Sequence, residues 1–215
     1  MDTGLAIFDL DGTLADTRAD LATAVNRTRR ALGLRALPLA RVVESVGNGL
    51  ASLLERTIPE RRDVSAAEKR AIWMREYAAH WLDETVAYPD IPEALLGLRR
   101  RGWRLAVLSN KPAEATKAIV AGLGLAKRFS LVQGGSQGLP LKPDPAAVEF
   151  VIRASGYDGR RASVWMVGDH YTDLEAARNA GVRSCFCRFG FGHPRGEIAT
   201  AIIDSADELL ENLTP

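Results

Sequence analysis

The sequence predicts an α/β fold: a Rossmann-like, doubly wound parallel sheet with a helical cap domain inserted after the first strand. Two observations favour this fold. Short apolar segments bounded by turn residues recur along the chain, and segments of helical periodicity separate the later ones. Between the first two apolar segments lie roughly ninety residues, mostly helical in pattern, which is far more than one crossover helix requires.

Five segments are expected to be buried strands because they are short, apolar and bounded by turn-forming residues. In chain order they cover residues 5–10, 104–109, 130–133, 163–167 and 183–187. Strands that alternate with helices form a parallel sheet that is covered on both faces. In a doubly wound sheet the first and fourth strands can be neighbours, at the point where the strand order reverses.

Capping and helix-breaking residues mark the helices that connect the later strands. Pro92 can occupy a first helical position, and Gly102 ends the helical pattern that follows it. Thr172 and Glu175 have the spacing of a capping box, and Gly181 ends the helix that they would begin.

Residues 14–83 are expected to form the α-helical cap, while residues 1–13 and 84–215 form the Rossmann-like core. Helical patterns within this insert cover residues 15–32, 39–46, 50–57 and 66–81. An insert that leaves the sheet after the first strand lies over the carboxyl ends of the strands. Open parallel sheets bind their ligands at those ends.

The bulk composition is that of an ordinary globular protein, with 47% hydrophobic and 26% charged residues. The net charge of +1 gives no electrostatic reason to expect a nucleic-acid or membrane-surface partner. No signal-peptide pattern precedes the first strand, and no apolar stretch reaches membrane-spanning length. Cys185 and Cys187 are expected to be buried, reduced thiols, which suits a cytoplasmic protein. The oligomeric state stays open.

Two carboxylates, Asp9 and Asp11, stand at the carboxyl end of the first strand. Their burial is costly unless something cationic compensates them. Gly12 allows a tight turn in which several backbone N–H groups can converge on one anion. Alternatively, Asp11 and Gly12 only form a capped turn.

A second acidic pair, Asp169 and Asp173, follows the fourth strand. Across the switch point these residues can converge with Asp9 and Asp11. Four carboxylates in one crevice require a hard dication, and oxygen ligands favour Mg²⁺. Taken alone, Asp173 is also explained by the preference of acidic residues for helix N-termini.

Groups of opposite polarity follow the second and third strands. Ser109 and Asn110 place a hydroxyl and an amide at the same rim of the sheet, and Lys142 stands in a turn rigidified by Pro143. Each residue alone has an ordinary explanation, a solvated lysine or a hydroxyl that satisfies a loop amide. Their common position at strand ends predicts an anion site.

Together these motifs resemble the haloacid dehalogenase superfamily of aspartate-nucleophile phosphatases. The matching segments are Asp9-x-Asp11-Gly12-Thr13, Ser109-Asn110-Lys111-Pro112, Lys142-Pro143 and Gly168-Asp169-x-x-x-Asp173. The resemblance spans nearly the whole chain and implies the fold stated above, with the first and fourth strands adjacent. It also implies a Mg²⁺-dependent phosphatase.

The resemblance and the chemistry of the residues assign the same roles. Asp9 is the nucleophile that forms an aspartyl-phosphate, and Asp11 is the general acid and then the general base. Mg²⁺ is bound by the Asp9 carboxylate, the Asp11 backbone carbonyl and Asp169, with Asp173 acting through water or orienting the shell. The remaining residues expected to stabilise or bind the phosphate are Ser109, Lys142, Asn110, Leu10 and Gly12.

Within the superfamily, the segment Val46-Gly47-Asn48-Gly49 makes the chain similar to the phosphoglycolate phosphatases. The expected substrate is a small phosphorylated metabolite, with 2-phosphoglycolate as a candidate. Gly47, Asn48 and Gly49 are expected to reach the leaving group. The competing interpretation of these three residues is a plain turn between two helices.

Two other functions are open. A sugar phosphomutase of the same superfamily would use Asp9 and Asp11 but return the phosphoryl group to a sugar, and it would release no phosphate. A non-catalytic, phosphate-binding regulator would lack a catalytic group, whereas every expected group is present. Release of phosphate with Mg²⁺, and its loss on chelation, separates these alternatives.

Overall fold

A computed structural model describes residues 3–136 and 138–215, so positions 1, 2 and 137 of the predicted core lie outside the described residues. Eight strands form in this part of the chain. They are β1 (Leu5–Phe8), β2 (Ala15–Asp16), β3 (Val86–Ala87), β4 (Arg104–Pro112), β5 (Leu131–Gly135), β6 (Val164–Gly168), β7 (Arg183–Cys187) and β8 (Ala201–Ile203).

Six of the strands form one sheet in the order β5-β4-β1-β6-β7-β8, and every neighbouring pair is parallel. Numbered among themselves, these strands have the order 3-2-1-4-5-6, which is that of a doubly wound sheet. Strand β1 lies between β4 and β6, and Phe8 is level with Val107 on one side and Val167 on the other. The predicted fold class and the adjacency of the first and fourth predicted strands are confirmed.

Helices connect the strands and cover the sheet. They are α1 (Arg18–Ala31), α2 (Leu39–Val43), α3 (Leu50–Thr57), α4 (Ala66–Ala78), α5 (Ile91–Arg100), α6 (Ala113–Gly122), α7 (Pro145–Ala154), α8 (Tyr171–Ala180) and α9 (Leu209–Asn212). None of the helices in the described part of the chain is long and apolar enough to cross a membrane.

The core has two apolar clusters, one on each face of the sheet, because successive side chains of a strand point in opposite directions. Along β1, Ala6 and Phe8 belong to one cluster, whereas Leu5 and Ile7 belong to the other. Helices α7 and α8 cover the Leu5 face, while α5, α6 and α9 cover the opposite one. The sheet is thereby buried on both sides, and its strand ends are free to form a site.

Some predicted boundaries were wrong. Strand β4 runs to Pro112, three residues further than predicted. Helix α8 begins at Tyr171, and its capping box is formed by His170 and Asp173 rather than by Thr172 and Glu175. His170 occupies the N-cap position because its ring accepts from the backbone N–H of Thr172, while the Asp173 carboxylate accepts from the backbone N–H of His170. Helix α6 and strand β8 were not predicted.

A helical insertion, α1 to α4, stands between β2 and β3. These two strands pair antiparallel, with Ala15 level with Ala87 and Asp16 level with Val86. Beside them, the buried Asp20 carboxylate accepts hydrogen bonds from the backbone N–H groups of Glu84 and Thr85 and from the Thr85 hydroxyl, at 2.7–3.1 Å. The outgoing and returning chains are thus tied together. The division into a cap at 14–83 and a core stays a prediction.

Candidate active site

Three buried carboxylates meet one buried lysine at the carboxyl ends of the central strands. Asp9, Asp169 and Asp173 each offer an oxygen within 4.8 Å of the other two. Lys142 Nζ lies 2.6 Å from Asp173 Oδ1 and 3.1 Å from Asp9 Oδ1, and it also donates to the Leu108 carbonyl at 2.7 Å. The strand ends therefore bring together Asp9, Asp169, Asp173 and Lys142, whereas the fourth carboxylate that was expected to converge here, Asp11, is not part of the cluster.

Asp169 is held in a cradle of backbone. Its Oδ2 accepts hydrogen bonds from the N–H groups of Phe191 at 2.9 Å and Gly192 at 2.7 Å. A Cβ on Gly12, whose φ is +80°, would lie 1.9 Å from the same oxygen, and one on Gly190 would lie 2.3 Å from the Asp169 Cβ. Only glycine fits at these two positions, so the carboxylate orientation is fixed from both sides.

The electrostatics of the cluster suit a bound dication. Burial raises the pKa of Asp9 to about 6, against the opposing effect of Lys142 and with a further rise from Asp173. Burial, together with the carboxylates of Asp173 and Asp9, raises the pKa of Asp169 well above its usual value. One ammonium cannot neutralise three carboxylates, and closely spaced carboxylate oxygens are the ligands that Mg²⁺ prefers. The residues present therefore fit this ion.

Asp11 stands apart from the acidic cluster, with partners of its own. Its Oδ1 accepts from the Thr17 hydroxyl at 2.6 Å and from Lys111 Nζ at 2.8 Å. Asp9 and Asp11 are only two residues apart, yet each is bound by a different lysine. Lys142 contacts Asp9, and Lys111 contacts Asp11. This separation allows them different chemical roles in one cleft.

Lys111 was not among the predicted site residues. Its side chain is buried, and its Nζ lies 5.0 Å from the centre of the Tyr77 ring. Although burial alone would lower the pKa of Lys111, the Asp11 carboxylate and Tyr77 raise it above its usual value, so the ammonium is retained. The alternation of side chains along a strand could have indicated this residue. Residues two apart, such as Ser109 and Lys111, lie on the same side of a strand, so Lys111 shares the side that Ser109 was predicted to occupy.

The other predicted phosphate ligands are buried near the cluster but have partners within the protein. Ser109 Oγ accepts from the Lys111 N–H at 3.3 Å. The Asn110 side chain accepts from the Lys142 N–H at 2.8 Å and donates to the carbonyls of Lys142 and Gly47, both at 2.9 Å. The N–H of Leu10 donates to Asp9 Oδ1, and that of Gly12 donates to the Ala15 carbonyl. Phosphate binding by these groups stays a prediction.

The loop Gly47–Asn48–Gly49 lies against the core. Asn48 Nδ2 donates to the Tyr171 hydroxyl at 2.6 Å, and a Cβ on Gly47 would lie 2.5 Å from the His170 ring. Burial lowers the pKa of His170 to about 4, so this ring is neutral at pH 7. The loop thus closes one side of a cleft of about 840 Å³, counting the part open to solvent, between the strand ends and the helical insertion.

Known proteins resemble this chain over nearly its whole length. The chain is 33% identical over 215 residues to a plasmid phosphoglycolate phosphatase of Cupriavidus necator, covering 97% of this chain and 92% of that protein. It is 38% identical over 220 residues to the phosphoglycolate phosphatase of Neisseria meningitidis, with coverage of 97% and 92%.

The fold and the family follow from two further matches. The solved structure of a predicted phosphoglycolate phosphatase from Haemophilus somnus has a TM-score of 0.87 and 25% identity, with 98% of each chain covered. The haloacid dehalogenase-like hydrolase family matches residues 6–187. The resemblance of the sequence motifs is therefore confirmed: the chain is an enzyme of the haloacid dehalogenase-like hydrolase family, with phosphoglycolate phosphatases among its relatives.

Proposed function

We propose that the protein is a Mg²⁺-dependent phosphatase that hydrolyses a small phosphomonoester through an aspartyl-phosphate on Asp9. The observation that carries this proposal is the arrangement of the two aspartates after β1. Asp9 and Asp11 line one cleft, yet Asp9 lies in the acidic cluster with Lys142 whereas Asp11 is bound by Lys111 and Thr17. One carboxylate is thus suited to attack and the other to proton transfer.

In the first half-reaction a carboxylate oxygen of Asp9 attacks phosphorus, and the bond from phosphorus to the ester oxygen breaks. The Leu10 N–H and Lys142 Nζ both contact Oδ1 of Asp9, and this supports Oδ2 as the atom that attacks. Asp11 gives its proton to the departing alcohol oxygen. Lys142 stabilises the negative charge on the transferring group.

In the second half-reaction water attacks the aspartyl-phosphate. Asp11, now ionised, takes a proton from that water, while the bond between phosphorus and Asp9 breaks. Phosphate leaves, and the Asp9 carboxylate is restored. The same residue can serve first as acid and then as base, because the first step leaves Asp11 ionised and the second step returns its proton.

Mg²⁺ would be held by the carboxylates of Asp9, Asp169 and Asp173, with the Asp11 backbone carbonyl as a further proposed ligand. When bound, it offsets the repulsion between the Asp9 carboxylate and the substrate phosphate. The protein contributes the orientation of Asp169, which the N–H groups of Phe191 and Gly192 fix.

The substrate we propose is a small phosphorylated metabolite, with 2-phosphoglycolate first among the candidates. Curated relatives of similar length carry the name phosphoglycolate phosphatase, which supports this choice. We place the enzyme in the cytoplasm, and the two buried free cysteines, Cys185 and Cys187, support a reducing compartment.

We expect phosphate release from 2-phosphoglycolate to depend on Mg²⁺. Without the ion, three buried carboxylates repel the substrate dianion, so chelation should reduce turnover to background and added Mg²⁺ should restore it. The measurement is phosphate release over a panel that includes sugar phosphates, nucleotides and pyrophosphate. Full turnover in excess chelator would contradict metal dependence, and isomerisation of a sugar phosphate without phosphate release would favour the mutase.

We expect Lys111→Met to reduce kcat about 10- to 100-fold, because Asp11 then keeps only its bond to Thr17 and loses its fixed orientation. Lys111 acts through Asp11 and is a positioning residue, so KM should change much less than kcat. The control is Lys117→Met, which alters an exposed lysine on α6. A wild-type kcat in Lys111→Met, or an effect on KM alone, would remove this role.

A further inference from the structure

His170 has one ring nitrogen without a partner, and that nitrogen is not sealed inside the protein. The residue is 9% exposed and lines the cleft. Its Nδ1 contacts Thr172, whereas no described residue bonds to its Nε2. In the described part of the chain, the side-chain polar atoms that are both unpaired and fully buried belong to Asn48, Trp73 and Tyr77. The Nε2 atom of His170 therefore keeps accessible surface.

The contacts of Nδ1 decide which nitrogen of the His170 ring carries the hydrogen. The backbone N–H of Thr172 lies 3.4 Å from Nδ1, and the Thr172 hydroxyl lies 2.9 Å from it. A backbone N–H can only donate, so Nδ1 accepts, and in the neutral imidazole the hydrogen is then on Nε2. Nε2 is thus a donor without a free lone pair. The proton transfers of the proposed reaction remain with Asp11.

Neighbouring groups hold the His170 ring in one orientation. A Cβ on Gly47 would lie 2.5 Å from Cε1, so the backbone of the Gly47–Asn48–Gly49 loop packs closely against the ring. The centre of the Tyr171 ring lies 4.4 Å from that of His170. Thr172 occupies the Nδ1 side. A donor that is fixed before its ligand arrives loses little conformational entropy on binding.

His170 stands beside the acidic cluster that contains the proposed nucleophile. It directly follows Asp169, which offers an oxygen within 4.8 Å of oxygens of Asp9 and Asp173. The backbone N–H of His170 donates to Asp173 Oδ2 at 3.1 Å. Asp9 and His170 both line the cleft. The unpaired donor thus lies at the end of the cleft where the phosphoryl group is attacked in the proposed reaction.

Two other donors at this end of the cleft are already engaged. Lys142 Nζ has three N–H groups and contacts three acceptors, which are two carboxylates and the Leu108 carbonyl. Asn110 Nδ2 has two, and it donates to the carbonyls of Lys142 and Gly47. Neither side chain has an N–H left for a phosphoryl oxygen while these contacts last. Fixed donors aimed at those oxygens lower the barrier of phosphoryl transfer.

We propose that His170 is a further catalytic residue whose Nε2–H donates a hydrogen bond to a nonbridging oxygen of the phosphoryl group. The bond stabilises the negative charge on that oxygen while the group is transferred. The catalytic part of this inference rests on the proposed phosphatase function, because it concerns the phosphoryl group of the same reaction.

Two substitutions separate this role from helix capping. His170→Asn keeps a good N-cap that can accept from the Thr172 N–H, but its shorter side chain does not reach the position of Nε2. His170→Gln carries an amide N–H about as far from the backbone as Nε2, and it is a poorer N-cap. The Asn variant should lose about 10- to 100-fold in kcat/KM, as expected for a hydrogen bond to a charged group, without a lower melting temperature.

The Gln variant should melt at a lower temperature than the Asn variant, yet its kcat/KM should be several-fold higher. A wild-type kcat/KM in His170→Asn would overturn the assignment. So would activities that follow stability, with His170→Gln the poorer enzyme, because that order is expected of a residue that only caps the helix.

Esters of different alcohols show which part of the substrate His170 contacts. A bond to the phosphoryl group is common to all phosphomonoesters, so His170→Asn should lower kcat/KM for 2-phosphoglycolate, ethyl phosphate and phenyl phosphate by the same factor. A loss confined to one ester would place the contact on the alcohol and overturn the assignment. The control is His80→Asn, since His80 bonds to Asp83 and does not line the cleft. An equal loss in this control would also overturn the assignment.

Inorganic phosphate probes the same contact without turnover. With Mg²⁺ present, phosphate should raise the melting temperature of the wild-type protein more than that of His170→Asn, and its inhibition constant should be about 10-fold higher in the variant. Equal rises in both proteins would overturn the proposed contact. If the wild-type protein releases phosphate from no ester, the proposed function fails, whereas the contact between His170 and phosphate is still decided by these melting temperatures.

Discussion

Replacing the nucleophile should have the largest effect on activity: Asp9→Asn is expected to lower kcat on the order of 10⁴-fold or more, the scale seen when a covalent nucleophile is removed. An amide is almost the same size as a carboxylate and can still accept from the Leu10 N–H, but it does not attack phosphorus. The measurement is steady-state phosphate release, with urea unfolding of both proteins. Stability should be retained, because burial disfavours the charge that the variant removes.

A trapping experiment tests the covalent intermediate directly. Acid quenching of the wild-type enzyme during turnover should leave a phosphoryl group on the peptide that contains Asp9, and Asp9→Asn should leave none. Asp158→Asn, which alters an exposed aspartate outside the cleft, provides the matched control and should turn over normally. Substantial phosphate release by Asp9→Asn would refute covalent catalysis at this residue.

The second large effect should follow Lys142→Met, which removes the ammonium that contacts two of the three clustered carboxylates. Breaking a buried ion pair by deleting one partner costs about 3–5 kcal/mol of unfolding free energy, because the remaining charge stays buried without compensation. Lys142 Nζ contacts Asp173 at 2.6 Å and Asp9 at 3.1 Å, so two buried carboxylates lose their cation. Activity should fall as well, since the transferring group loses a cation.

The unfolding free energy in urea, measured in the presence of a chelator, checks this expectation. Chelation matters because a bound dication would partly replace the missing ammonium. The exposed Lys117, changed to Met, again serves as the control and should stay within about 0.5 kcal/mol of wild type. A Lys142→Met protein as stable as that control would show that the cluster does not depend on its lysine.

The sequence was sufficient to predict the sheet and those site residues that stand at the carboxyl ends of its strands. Asp9, Asp169 and Lys142 each come directly after an apolar strand or its turn, and parallel strands bring such positions to one edge of the sheet. To predict the strand order, one further assumption was enough, namely right-handed crossovers in a doubly wound sheet. The alternation of strands and helices favours that arrangement. No long-range contact had to be guessed.

Other parts depend on contacts that no local pattern records. The amides of Phe191 and Gly192 reach Asp169 across more than twenty positions of sequence, and a backbone N–H has no side-chain signature. Lys111 was missed because β4 continues past Ser109, where the apolar pattern has already ended. Strand β8 has three residues, too few for the alternation of a strand to be recognised.

The paired strands β2 and β3 have a consequence for how such enzymes diversify. Because Ala15–Asp16 and Val86–Ala87 are neighbours, the two ends of the helical insertion stay about one strand spacing, ~4.8 Å, apart. The junction by itself therefore sets no limit on the length of the polypeptide between these strands, provided that its two ends lie about that far apart. We expect insertions of other lengths to be compatible with this sheet where they keep the contacts that Thr17 and Tyr77 make here with Asp11 and Lys111.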